Sequence, residues 1–82
     1  MDHDNFNDLL LGEKNATRKR LFLARVMEVA YNHRAYLLAQ GMAIEACYKL
    51  ELTSQRARLY IEPSVPLELY EELHTCFTRI FN

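Results

Sequence analysis

Five side chains in this sequence have the chemistry to hold a metal or to act as nucleophile and base: His3, His33, His74, Cys47 and Cys76. Their spacing argues against a site. There is no CxxC and no HxxxH, and His74 and Cys76, two residues apart on a predicted helix, point to different faces. A structural zinc would need the fold to gather ligands from distant segments. Met1-Asp2-His3 sets a histidine third from a free amine, an arrangement that wraps Cu(II) or Ni(II) in nitrogen ligands, although an acidic tail with an incidental histidine is the simpler reading. Both cysteines fall in apolar stripes, where a thiol is ordinarily inert packing, and nothing selects a Cys76–His33 nucleophile pair.

The remaining catalytic vocabulary is thin. The two serines, Ser54 and Ser64, sit at predicted turns or caps, and two glycines do not build a phosphate-cradling loop. Glu68, Glu71 and Glu72 read as a solvated helix face rather than a carboxylate pair. The expectation is a chain that is not an enzyme, with no catalytic residue, no metal, no cofactor and no small-molecule substrate.

Charge is more informative. The net value of −1 conceals a polarised layout. Residues 1–13 carry Asp2, Asp4, Asp8 and Glu13. Residues 14–34 carry Lys14, Arg18, Lys19, Arg20, Arg25 and Arg34 against Glu28 alone. Arg18, Lys19 and Arg20 radiate around a helix instead of lining one face, which is weak equipment for reading a nucleic-acid groove.

These residues need elements to position them, and the organising one runs from Asn15 to about Cys47. Leu23, Val26, Met27, Ala30, Tyr31, Leu37, Leu38, Gly41 and Ile44 fall on one broad side at 3.6 residues per turn; Arg18, Arg25, Glu28, Asn32 and Gln40 fall on the other. The spacing predicts one long helix capped by Asn15, with a kink near His33 as the alternative, because Arg34 sits in the middle of the apolar side. After Asn32 the polar stripe becomes Ala35, Tyr36, Ala39, Ala43 and Ala46, so Ala35–Cys47 is the predicted core helix. Upstream, Phe6 with Leu9, Leu10 and Leu11 forms a short helical turn ended by Gly12, its leucines docked on the core.

Beyond Cys47 the period becomes two. Tyr48, Leu50 and Leu52 alternate with Lys49, Glu51 and Thr53; Ala57, Leu59 and Ile61 alternate with Arg56, Arg58, Tyr60 and Glu62. A β-hairpin with Ser54-Gln55 at its turn is expected. The rival is a helix continuing to Leu50 and a new one capped at Thr53 or Ser54, since the residue types favour helix and the turn lacks Gly or Asn. In the final segment Ser64 is the predicted N-cap and Pro66 lies in the first turn. Leu69, Leu73, Cys76, Phe77 and Ile80 form its stripe, with Tyr70 and Phe81 at the edge.

The fold expected is α+β: a long N-terminal helix, a two-stranded hairpin and an amphipathic C-terminal helix, with an all-α bundle of three or four helices as the alternative. The organisation expected is a mobile acidic segment, 1–13, followed by a single small domain, 14–82. At 82 residues and 50% apolar the chain is globular but modest in core, which favours self-association as a homodimer. The acidic N-terminus has no signal-peptide pattern and no apolar run spans a membrane, so two reduced thiols in the cytoplasm are expected, and the Asn15-Ala16-Thr17 sequon is without a setting.

Two functions fit. The first is a protein-binding module, an adaptor, chaperone or inhibitor that occludes a larger partner through Arg18, Lys19, Arg20, Arg25, Tyr31, Leu38 and Met42. The second is a nucleic-acid-binding regulator using Arg18, Lys19, Arg20, Arg25, Arg56 and Arg58. Its element order resembles a winged helix-turn-helix with Gln40-Gly41 as the turn and Met42–Lys49 as the recognition helix. The exposed side chains of that helix would be poor at contacting bases, and the overall charge is unhelpful for phosphate.

Overall fold

The computed structural model describes the backbone of residues 2–82 and the side chains from residue 12 onward. Its elements are α1 (Asp2–Asn32), α2 (Arg34–Gln40), a 3-10 turn (Ile44–Ala46), strands β1 (Tyr48–Leu52) and β2 (Ala57–Ile61), and α3 (Leu67–Phe81). Three helices and one two-stranded antiparallel sheet make an α+β fold.

α1 begins well before Asn15, so neither Gly12 nor Asn15 marks a helix end. Asn15 lies within the helix, and its Nδ2 donates to the carbonyl of Thr53 at 3.2 Å, fastening the hairpin turn to α1. Lys14 and Arg18–Arg20 are therefore mid-helix, away from the N-terminal turn where cations would oppose the helix dipole. The docking expected of the Leu9, Leu10 and Leu11 side chains lies outside the described residues, as do the other side chains of the acidic segment up to residue 11.

The single rod from Asn15 to Cys47 is broken twice. At His33 the backbone leaves helical geometry (φ −115°, ψ 25°), with its N–H shared between the carbonyls of Val29 and Ala30. Arg34 serves the break: Nη1 donates to the Tyr31 carbonyl at 2.8 Å, satisfying an acceptor that the end of α1 leaves without a helical partner. The guanidinium lies 4.2 Å from the centroid of the Tyr31 ring. His33 pairs with Glu72 of α3, tying the break to the C-terminal helix. The second break is Gly41, left-handed at φ 60°. Its N–H donates to Leu38 and that of Met42 to Leu37, both at 3.0 Å, the two bonds of a Schellman stop. Ala43 is then extended (ψ 154°), and one 3-10 turn leads into β1. Met42–Lys49 is accordingly not a recognition helix, and the winged helix-turn-helix reading loses the element that would enter a groove.

The hairpin forms where the period-2 pattern places it, with Tyr48 opposite Ile61, Leu50 opposite Leu59 and Leu52 opposite Ala57. The apolar set of each strand is half-buried and Lys49, Arg58 and Tyr60 are exposed. The turn does without Gly or Asn because Thr53 Oγ1 accepts from the backbone N–H groups of Gln55 (3.2 Å) and Arg56 (3.1 Å). The sheet packs on α3 and on the 3-10 turn, and reaches Phe22 of α1.

Pro66, expected in the first turn, is instead the N-cap residue of α3 in place of Ser64, whose hydroxyl donates to the Glu62 carboxylate at 3.1 Å. Its stripe is as the spacing predicts, except that Phe81 is no edge residue: it packs against Phe22 and Phe77. The core is Phe22, Val26 and Val29 of α1, Leu69 and Leu73 of α3, with Leu37, Ile44, Cys47 and Val65 closing it. This corrects the predicted core. The buried face of α1 is rotated by roughly 100° from the centre of the apolar side read from the sequence, one residue's worth of helical twist. The alanine stripe at 35, 39, 43 and 46 faces solvent.

Candidate interaction surface

Because the core takes the Phe22–Val26–Val29 face, the neighbouring apolar residues of α1 are left outside. Met27 is 62% exposed and Tyr31 65%, with Leu23 beside them. Residues four apart on a helix lie one above the other, so these three form a continuous strip. Beyond the His33 break it continues in Leu38, 84% exposed. Next to Leu38 is an open apolar hollow of about 590 Å³, walled by Ala30, Leu37, Met42, Ala43 and Ile44, with Arg34 at its rim. The Schellman stop creates this hollow, since Gly41 turns the chain and lays Met42 back beside Leu37. Of the sequence-predicted partner residues, Tyr31 and Leu38 thus stand exposed, and Met42, half-buried, forms the floor.

The basic residues are more dispersed. Arg18, Lys19 and Arg20 are exposed on α1. Arg25 pairs with Glu28 at 3.3 Å on the surface, a contact of small energetic weight. Arg58 stands opposite Glu51 across the ladder, both bonded to the Tyr60 hydroxyl at 3.3 Å, so its charge is locally countered. Arg56 is exposed in the hairpin turn that Asn15 holds against α1, near the start of that helix's basic stretch.

A second groove, about 750 Å³, runs between α1 and α3 and is lined by Arg25, Glu28, Glu68, Glu72, Cys76 and Arg79 among others. It joins cations and carboxylates of both signs. The one thiol in it is not activated: burial pushes Cys76 up, Arg25 and Arg79 pulling against Glu72 and Glu28. A nucleophilic cysteine needs the opposite shift. Cys47 is wholly buried, its Sγ 3.4 Å from the Met42 sulfur. Burial raises its thiol too, and the Glu62 and Glu45 carboxylates push the same way. No cluster of three metal-binding side chains exists among the described residues; His3 lies outside them.

The raised thiol has a consequence for stability. The folded state keeps the Cys47 proton to a higher pH than the unfolded chain does, so the stability present below the ordinary thiol value, about 8.5, is lost as pH rises through the folded one. The Tyr48 hydroxyl, raised mainly by burial, adds to the loss at higher pH. The thermal midpoint is expected to fall between about pH 8 and pH 10, and to fall less steeply in Cys47→Ala. A wild-type midpoint flat across that range would contradict the assignment.

No protein-family model matches this chain, and no curated protein or solved structure does either. No helix among the described residues is long and apolar enough to cross a membrane.

Proposed function

We propose that this chain is a small protein-binding module, an adaptor, chaperone or inhibitor that acts by covering part of a larger partner without chemistry of its own. The observation that carries the reading is the strip Leu23–Met27–Tyr31 running on to Leu38 and its hollow. Singly exposed apolar residues are ordinary, but a contiguous set beside a concave apolar surface is the mark of an interaction site. Two unpaired thiols, both shifted away from reactivity, are in keeping with a non-enzymatic protein of the cytoplasm.

The test is site-resolved. A photo-crosslinking residue at Met27 or at Leu38, introduced in the cell of origin, is expected to yield the same discrete adduct with another protein. The same residue at Glu71 on α3 is expected to yield none. Absence of adducts at 27 and 38, or identical adducts at all three positions, would count against the reading.

One contact favours a second reading, nucleic-acid binding through Arg18, Lys19, Arg20 and Arg56: the Asn15–Thr53 bond holds the hairpin turn against α1 near its basic stretch. Salt-titrated binding to DNA and RNA separates the two. Affinity that falls steeply with salt and vanishes in Arg18→Ala/Arg20→Ala would favour nucleic acid, and no binding at low salt would dispose of it.

A further inference from the structure

We infer that the exposed strip of α1 takes an acidic amphipathic helix of a partner protein, whose carboxylates pair with Arg20 and Arg34 while its apolar side chains lie along Leu23, Met27 and Tyr31 and enter the hollow beside Leu38. This rests on the protein-binding reading and adds the chemistry of the partner.

The argument is the order of residues along the strip. Positions three and four apart are neighbours on a helix, so Arg20, Leu23, Met27 and Tyr31 form one line, and Arg34 closes it with its guanidinium over the Tyr31 ring. All five are exposed. An apolar strip is thus bracketed by two cations, and neither has a carboxylate partner among the described residues. Glu28 is occupied with Arg25 on another face of α1. Glu13 precedes Arg20 by about two turns, beyond the spacing at which helix side chains meet. Arg34 spends one N–H on the Tyr31 carbonyl, and a guanidinium has five, so an edge is left for a carboxylate. The ring beneath it holds that edge in place before any partner arrives, which lowers the ordering cost of binding.

Geometry then describes the occupant. Arg20 and Arg34 are separated by about four helical turns, roughly 21 Å at 1.5 Å per residue. A helix lying along the strip needs acidic residues that far apart and apolar residues at i, i+3/i+4 and i+7 between them, the helix-in-groove mode of recognition. A second copy of this chain fits poorly. Two strips docked antiparallel about Met27, the midpoint between positions 20 and 34, set Arg20 of each copy opposite Arg34 of the other, and like charges face each other at both ends. The homodimer expected from the sequence would have to use another surface.

The test uses the full chain and two synthetic amphipathic peptides with one apolar pattern, one carrying Glu at the bracketing positions and the other Lys. Fluorescence anisotropy is expected to show the Glu peptide binding at least about tenfold tighter at low salt. Arg20→Glu/Arg34→Glu is expected to invert the preference, and Met27→Asp to weaken both peptides, with circular dichroism confirming that both variants fold. Equal binding, or a preference for Lys, would overturn the acidic assignment. Binding of neither peptide overturns it as well: if Met27 and Leu38 still crosslink to a partner the protein-binding reading survives, and if they do not, both fall. Sedimentation showing a dimer that Met27→Asp dissociates would give the strip to a second copy and likewise overturn the inference.

Discussion

Phe22→Ala is expected to remove about 3–5 kcal/mol of stability, the range for truncating a fully buried aromatic side chain. Phe22 has no exposed surface, and three rings from two other elements meet it edge-on: Tyr48 of β1 at 5.5 Å, Phe81 of α3 at 6.2 Å and Phe77 of α3 at 6.5 Å between centroids. It is therefore the residue at which helix, hairpin and C-terminal helix are joined. A domain of this size has roughly 4–12 kcal/mol in all, so the variant loses a large fraction of its stability. Urea denaturation followed by circular dichroism measures it. A loss below about 1.5 kcal/mol would mean that the three elements do not depend on this ring.

The second large effect is a contrast between adjacent residues. Leu37→Ala is expected to cost about 2–4 kcal/mol, whereas Leu38→Ala should change stability by no more than about 0.5 kcal/mol. Leu37 is 7% exposed and Leu38 84%, though both belong to the apolar side read from the sequence. Leu38→Ala should nevertheless abolish or sharply weaken whatever binds the strip, because an exposed leucine at the lip of an apolar hollow contributes to binding and not to folding. Urea denaturation reads the stability difference, and the peptide titration reads the loss of binding. Equal destabilisation by both substitutions would show that Leu38 is buried in solution and would remove the candidate surface.

Much of the local structure was legible in residue spacing. The period-2 alternation from Tyr48 to Glu62 specified both strands and which side chains face inward, although helix propensity favoured the rival. Burial of one face decided it, since Leu50, Leu59 and Ile61 gain contacts in a sheet that propensity alone cannot weigh. The α3 stripe was equally plain. Arg34 was conspicuous as a charge in an apolar run, and it proves to serve the end of α1, so the rod is interrupted there.

The candidate surface was half legible. Tyr31, Leu38 and Met42 could be singled out because the apolar arc is wider than one small core can use. That Arg20 and Arg34 bracket the strip required the structure, because the His33 break decides where Arg34 points. Local spacing could not place the break itself, since the His33–Glu72 pair that ties it down joins residues far apart in sequence.

The amino-acid sequence by itself determined the two strands and the C-terminal helix, because the strand and helix periods and a proline boundary act over a few neighbouring residues, whereas the start of α1 and its breaks at His33 and Gly41 were not legible there. The choice of which apolar face of α1 to bury belonged to the tertiary structure. Phe22, Val26 and Val29 win that competition over Leu23, Met27 and Tyr31 because α3 and the hairpin supply Leu69, Leu73, Phe77, Phe81 and Tyr48 to one face only. Burial depends on partners distant in the chain, and the face left without them is the one open to another molecule.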